Sequence, residues 1–371
     1  MANIQKRPNG KWRARYRDDA GKEHARHFTK KVDAQRWLDE VTTSVITGQY
    51  VDPKAGKITF KTYAEQWRKA QPHRVSTAKA VEQHLRCYAY PAFGDRPIGR
   101  ISTSDVQAWV TGLTARTGLA PSTARTVFST VKAVFRAAAT GQGRIIAHTP
   151  CEGVKSAPVP RRQVVPFTVQ QVNALADTVP ERYRALVLTG AGTGLRPGEL
   201  FGLCVRHVNF LKRTVRVEQQ LQQTAGSSVY VCPPKTKQSY RTVPLPKVVA
   251  DALALHLKKF PADRDDHLFR MERGGPIIRT SFFDHVWRGS VKVADLPAGT
   301  GMHALRHAYA SLLIAGGESV KVVSERLGHT NAAMTLNTYS HLFPDSEERT
   351  RQAVDKAFQD HADPVRTEKA R

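Results

Sequence analysis

The hydrophobic positions fall into three textures. Near the start, Trp12, Ala14 and Tyr16 alternate with Arg13, Arg15 and Arg17, the period of a strand with one buried face. Asn9-Gly10 precedes them as a tight-turn pair. Asp19-Ala20-Gly21-Lys22 turns the chain into a second strand at 24–28. From about Lys31 to Thr47, Val32, Trp37, Leu38, Val41 and Val45 recur as the apolar stripe of a helix that stops near Gly48. These patterns predict a small β-sheet-plus-helix module over residues 1–50, closed by a linker at 51–57.

The second texture is helical throughout. Residues 60–70, 76–88, 103–113 and 121–139 carry apolar residues at helical spacing, with start signals at Thr59, at Ser102 or Thr103, and at Ser122 after Pro121. A stretch with four prolines, 148–166, has almost no periodicity and reads as an interdomain linker. The third texture mixes elements. Helices are predicted at 168–177, 181–192, 246–259, 281–294, 302–315 and 319–327, and a β-rich patch spans 208–245. A charged tail follows, helical in pattern at "SEERTRQAVDKAF". The predicted divisions are 1–50, 58–155, 163–345 and 346–371, so the chain is multidomain: a sheet-plus-helix module, an all-α domain and a mixed α+β domain.

Composition changes the picture in one direction. The 371 residues are 40% hydrophobic, enough for real cores, and carry 57 Lys and Arg against 32 Asp and Glu, a net charge of +25. Such an excess favours polyanionic partners. Nucleic acid leads over an anionic membrane, because no long basic amphipathic helix is free of acids. The excess is concentrated at the front: residues 1–31 hold ten Lys/Arg and three acids, whereas 161–371 hold thirty and twenty. No apolar run approaches the ~18 residues of a membrane span, and the N-terminus lacks the apolar core of a secretory signal. Cys87, Cys151, Cys204 and Cys232 form no C-x-x-C pair and no metal-site spacing, so reduced thiols in a cytoplasmic protein are expected.

Four segments of the last domain carry candidate chemistry. In "GAGTGLRPGELFGL", Pro197 suits the first position of a helix, Arg196 sits at its entry, and Glu199 is placed to pin the guanidinium. In "PPKTKQSYRTVPL", Lys235 is expected at the tip of a β-hairpin, with Lys237 able to take its place. In "GMHALRHAYAS", His303 and Arg306 are three apart and share a helix face, Leu305, Ala308 and Leu312 cover the other, and His307 is expected to point elsewhere as a structural residue. "RLGHTNAAMTLNTYSHLF" adds His329 and Tyr339. Each segment alone also has an ordinary reading: an arginine near a cap, a solvated lysine, a structural tyrosine.

In this order the residues resemble the tyrosine recombinase (phage integrase) family: Arg in "TGLRPGEL", Lys in "PKTKQSYRTVPL", His-x-x-Arg in "HALRH", His in "LGH" and Tyr in "TLNTYSHL". The resemblance implies that residues 58–155 are a core-binding domain, that 1–50 are an arm-type DNA-binding module, and that 163–345 are the catalytic domain. It implies site-specific cutting and rejoining of double-stranded DNA at attachment sites through a 3′-phosphotyrosyl link, by a homotetramer, with a host bending or directionality factor as a further partner.

The chemistry is consistent with these residue types. Attack on a phosphodiester builds negative charge that must be neutralised, and a guanidinium offers a planar fork matched to phosphate. A tyrosine with a pKa of ~10 must lose a proton as it attacks, and His303 can accept it. His329 can donate a hydrogen bond to the phosphate, and Lys235 can protonate the departing 5′-oxygen. No phosphate-binding glycine motif and no acidic cluster for a two-metal nuclease is present in the sequence, so no cofactor and no metal is expected. The alternatives are a chromosome resolvase, against which the 1–50 module counts, a conjugative-transposon recombinase of the same chemistry, and a non-catalytic DNA-binding regulator. Arg13, Arg15 and Arg17 are the candidate DNA-contacting residues of that module.

Overall fold

The computed structural model describes residues 3–17, 21–46, 51–52, 55–140, 143–160, 163–223, 228–343 and 347–360. The turn at Asp19-Ala20, the helix stop at Gly48, the side chain of Val45 and the end of the tail lie outside them. The chain divides into two compact units, 1–160 and 161–371.

The first unit opens with an antiparallel sheet of β1 (Asn3–Lys6), β2 (Trp12–Arg17) and β3 (Glu23–Phe28), followed by α1 (Lys31–Ile46). The turn between β1 and β2 is closed by Gly10 at φ 77°, a left-handed conformation that glycine adopts without strain. The alternation in β2 holds. Ala14 and Tyr16 are buried against Ala34 and Leu38 of α1, while Arg13, Arg15 and Arg17 share the opposite face. Val32, expected in the stripe, is exposed, because it sits in the first turn of α1, outside the small buried cluster.

Six further stretches build the helical part. They are α2 (Phe60–Ala70), α3 (Val75–His84), α4 (Tyr90–Phe93), α5 (Thr103–Ala115) and α6 (Pro121–Ala139), with a π-helical turn at Leu85–Ala89 joining α3 to α4. Thr59 caps α2, and Ser102 with Asp105 forms a reciprocal capping box at α5. The range predicted for α6 holds, but its start signal differs from expectation: Pro121 is the first residue, and Ser122 lies inside the helix rather than capping it. Proline has no N–H to leave unsatisfied there and its φ is already helical. Phe60, Phe93, Phe128 and Phe135 fill the core of this part.

The second unit places helices around two short sheets. α7 (Val169–Thr178), α8 (Glu181–Thr193) and α9 (Pro197–Phe201) lead into the strands β4 (Val208–Asn209), β5 (Thr214–Val217), β6 (Gln220–Gln223), β7 (Val229–Cys232) and β8 (Arg241–Pro244). The sheets are β4-β5-β8 and β6-β7, both antiparallel. Then come α10 (Lys247–Lys259), α11 (Arg279–Phe282), α12 (Arg288–Val293), α13 (His303–Ala315), α14 (Val320–Leu327), α15 (Ala332–Tyr339) and α16 (Glu347–Asp360). A π-helical turn, Phe283–Trp287, splits the helix predicted at 281–294.

Helix α13 packs along α8 in the core of this unit. Gly194 ends α8 at φ 63°, and a Cβ there would meet the Tyr309 ring at 2.3 Å. Only glycine lets α13 close onto this turn, and that closure brings Arg306 beside the Arg196 segment. Leu305 and Ala308 are buried as predicted, whereas Leu312 is 46% exposed; near the end of α13 it is Ile314, 2% exposed, that packs into the core.

Candidate active site

Three guanidiniums converge on the C-terminal end of α14. The last carbonyls of a helix have no partner within it and carry the negative end of its dipole. Here Arg241 Nε donates to the Arg326 carbonyl at 2.8 Å, Arg306 Nη2 to the Leu327 carbonyl at 2.6 Å, and Arg196 Nη2 to the Gly328 carbonyl at 3.0 Å. Arg306 is 1% exposed and also donates through Nη1 to the Gly194 carbonyl at 2.8 Å. Among the described residues, one carboxylate answers this charge. Glu199, 2% exposed, accepts from Arg196 Nη1 at 2.8 Å and from Arg241 Nη2 at 2.8 Å, and it also caps its own helix at the Arg196 N–H. The expected pinning of Arg196 by Glu199 is therefore present. Arg241 is an addition that no sequence pattern singles out.

Gly328, in the left-handed conformation, stops α14 and turns the chain so that His329 faces the arginines. His329 Nδ1 pairs with the buried Thr335 hydroxyl at 2.8 Å, and Asn331 caps the next helix through the Met334 N–H. That helix, α15, is absent from the predicted elements. It ends on Tyr339, which is 1% exposed, and the Tyr339 hydroxyl pairs with His307 Nδ1 at 2.8 Å. His303 sits one turn before His307, with ring centroids 5.0 Å apart.

The structure thus corrects the expectation for His307. It does not point elsewhere: it is the residue on the tyrosine hydroxyl, and the His303 ring packs against it. The spacing contains the signal, since positions 303 and 307 lie four apart on one helix face.

The electrostatics follow from crowding cations into a buried place. Burial, then Arg196 and Arg241, push the Arg306 guanidinium down to about 9, which leaves it charged at neutral pH. His329 is pushed down to about 4 by burial and then by Arg306, Arg196 and Arg241. His303 also falls to about 4, through desolvation against its neighbours, then His307, Arg306 and Arg196. Burial and then Arg306 lower His307. Burial raises Tyr339 to about 12, and Arg306 opposes it. Burial would raise the Glu199 carboxyl, but Arg241 and Arg196 outweigh it and hold it low. The result is a cation-rich site with neutral imidazoles and a protonated phenol, which suits a tetrahedral anion.

Lys235 is placed differently from the prediction. It is exposed, and it follows Pro233-Pro234 in the connection between β7 and β8, which do not pair. The closing turn of the β6-β7 hairpin lies at 224–227, outside the described residues. Lys237, also exposed, opens a 3-10 turn (Lys237–Ser239) whose Ser239 hydroxyl lies 3.4 Å from Arg196 Nη1, so the loop carrying both lysines is anchored at the site. Arg13, Arg15 and Arg17 lie in the other unit, on the outer face of β2. There Glu23 contacts Arg13 at 3.4 Å and Arg15 at 3.8 Å. Among the described residues, no group of three or more His, Cys, Asp or Glu is placed to hold a metal ion, and no helix is long and apolar enough to cross a membrane.

This chain belongs to the tyrosine recombinase (phage integrase) family and is a tyrosine-type site-specific DNA recombinase. The phage integrase family model matches residues 166–345, the phage integrase central-domain model residues 60–155, and the phage integrase N-terminal-domain model residues 2–47. The chain is 25% identical over 324 residues to the integrase of Mycobacterium phage D29, covering 84% of each. Its fold is like that of the Tn1549 transposon integrase, solved in complex with a circular intermediate DNA. The TM-score is 0.69 at 24% identity over 81% of this chain and 99% of that one. A lambda integrase tetramer bound to a Holliday junction has the same fold, with a TM-score of 0.57 at 18% identity, over 89% and 96% of the two chains. The expected fold, a small sheet plus helix, a helical central domain and a mixed catalytic domain, is borne out.

Proposed function

We propose that this recombinase integrates and excises a phage or other mobile element, with Tyr339 as the nucleophile that forms a 3′-phosphotyrosyl link. The observation that carries this reading is the convergence of Arg196, Arg306 and Arg241 on one helix end, with Tyr339 and His329 beside them. Arg196 and Arg306 bind the non-bridging oxygens of the scissile phosphate. His329, neutral and held by Thr335, donates a hydrogen bond to it. His303 belongs to the path by which the tyrosine proton leaves. Lys235, or Lys237 on the same loop, delivers a proton to the 5′-oxygen.

The module 1–50 acts as an arm-type DNA-binding element, 58–155 clamps the core site, 163–345 does the chemistry, and 346–371 is a charged tail. The working assembly is a homotetramer on duplex attachment sites in the cytoplasm, assisted by a bending or directionality factor. Integration is favoured over chromosome resolution by the N-terminal module and by the similarity to a phage integrase along most of the chain.

The test uses nicked duplexes covering the DNA that flanks the gene, which trap the cleaved strand on the protein. The full chain is expected to give a covalent adduct on a denaturing gel, and Tyr339→Phe none, while binding is retained. An adduct from Tyr339→Phe would sink the assignment and turn attention to Tyr309 or Tyr240.

A further inference from the structure

We propose that His307, rather than His303, is the first acceptor of the proton that Tyr339 loses when it attacks. This rests on Tyr339 being the nucleophile. The geometry is direct. The Tyr339 hydroxyl is 2.8 Å from His307 Nδ1, inside hydrogen-bond range, and the two ring centroids are 5.6 Å apart. No other hydrogen bond to that hydroxyl is seen among the described residues. The His303 ring packs edge-on against His307, with centroids 5.0 Å apart. Among the described residues, His307 contacts both the Tyr339 ring and the His303 ring, and no hydrogen bond joins His303 to the tyrosine hydroxyl.

The local protein explains why the pair is held. Tyr339 is the final residue of α15 and is almost wholly buried, so its hydroxyl needs a partner. His307 sits one residue beyond Arg306 on α13, so the helix that supplies the phosphate-binding guanidinium also supplies the tyrosine's partner. Burial and the neighbouring Arg306 keep His307 neutral, which leaves Nδ1 a lone pair to receive the hydroxyl proton when the other ring nitrogen carries the hydrogen.

The step balances as follows. The Tyr339 Oη–P bond forms and the P–O5′ bond breaks. The tyrosine proton passes to His307 Nδ1, and the departing O5′ takes a proton from Lys235. Rejoining runs both transfers backwards, so His307 returns its proton to the phenol and no co-reactant is consumed. The phosphate itself makes the transfer feasible. Before DNA arrives, Arg306 disfavours a charged imidazole nearby. With the phosphate seated on Arg306 and Arg196, that positive charge is answered, and the phenol grows more acidic as its oxygen bonds to phosphorus.

The experiment measures the rate of adduct formation on the nicked duplexes, at saturating DNA, for the full chain. His307→Asn keeps an oxygen that can accept the hydroxyl hydrogen bond but cannot take the proton. It is expected to slow adduct formation by roughly 10²-fold, within the usual range for a general base, with DNA affinity and thermal unfolding little changed. Replacing Tyr339 by a difluorotyrosine, whose phenol is more acidic, is expected to recover most of that loss. His307→Ala with added imidazole is expected to regain part of it.

A wild-type rate in His307→Asn, or a slow rate indifferent to both difluorotyrosine and imidazole, overturns the proposal. So does imidazole rescue of His303→Ala with none of His307→Ala. Failure of the underlying reading is separable, because it would appear as an adduct in Tyr339→Phe, whatever the His307 variants do.

Discussion

The two ends of this molecule use arginine in opposite ways. On β2, Arg13, Arg15 and Arg17 stand in a row on an outer face, and two of them share one partly exposed carboxylate, Glu23, at 3.4 and 3.8 Å. At the candidate active site, Arg196, Arg241 and Arg306 are drawn inward, fixed to consecutive backbone carbonyls and to a buried Glu199. The first arrangement leaves the guanidiniums free to adjust to a polyanion and open to screening by salt. The second removes that freedom before any phosphate arrives, as preorganised stabilisation of a transition state requires.

The largest effect is expected at Arg306. Lysine there keeps a charge but loses the two-pronged grip on Gly194 and Leu327. Arg306→Lys should lower the adduct-forming rate at saturating DNA by at least a hundredfold, since loss of one oriented donor typically costs about 3–4 kcal/mol in the transition state. A rate within tenfold of wild type would show that this guanidinium is structural and not preorganised for the phosphate.

The carboxylates sharpen the contrast. Glu199→Gln leaves Arg241 and Arg196 without their counter-charge in a buried place, where removing one partner typically costs about 3–5 kcal/mol. Glu23→Gln removes an exposed partner, where the usual cost is under about 1 kcal/mol. Thermal unfolding should therefore show a clear loss for the first variant and almost none for the second. Equal losses would erase the distinction between the two sites.

Lys235 stands between these cases, exposed yet on a loop anchored by Ser239. Lys235→Ala should cleave slowly and be rescued by a 5′-bridging phosphorothiolate, whose leaving group needs no added proton. Without rescue, Lys237 becomes the candidate on the same loop.

A pH effect of smaller size follows from the histidines. His303 and His329 both have folded pKa values near 4, below the ordinary ~6.5 of the unfolded chain. Protonation therefore favours the unfolded chain, so the stability they allow is present above about pH 6.5 and is lost as pH falls toward 4. Unfolding temperatures measured from pH 7 to 4 should decline, and His329→Gln should flatten that decline. A profile unchanged by the substitution would mean that His329 is not buried among the arginines.

Much of this is legible in the sequence, for reasons that differ by element. The helices at Phe60–Ala70 and Pro121–Ala139 are readable to the residue because caps and prolines act locally. Glu199 is placed on Arg196 because a helix start and a three-residue spacing determine that contact. The features that escape a sequence reading depend on tertiary packing. Helix α15 is short and has little apolar periodicity, so only its packing against α14 shows it as a helix. His307 escapes because facing Tyr339 is a fact about two helices together. Arg241 escapes because its partners lie 42 and 85 residues away. Lys235 reads as a hairpin-tip residue because strand texture is visible along the chain and strand pairing is not.

The smallest expected effect is also the one that tests the outer face of β2. The three arginines lie at alternate positions, opposite His27, Ala25 and Glu23 of β3, while Ala14 and Tyr16 face the core. Substituting all three by glutamine therefore removes charge without touching the packed side. In the full chain, adduct formation at saturating DNA should stay at the wild-type rate, because the chemistry belongs to the other unit. Binding should become less sensitive to salt: the slope of log affinity against log salt falls by about 0.9 for each duplex phosphate that the protein no longer neutralises. Footprints on the flanking DNA then separate two roles. If the arginines serve an arm-type module that reads its own sites, protection should disappear at those sites and persist at the crossover site. If protection weakens evenly everywhere, the face is a general electrostatic grip. An unchanged salt slope would mean that these arginines touch no phosphate, and the comparison between the two ends would then rest on Glu199 and Arg306 alone.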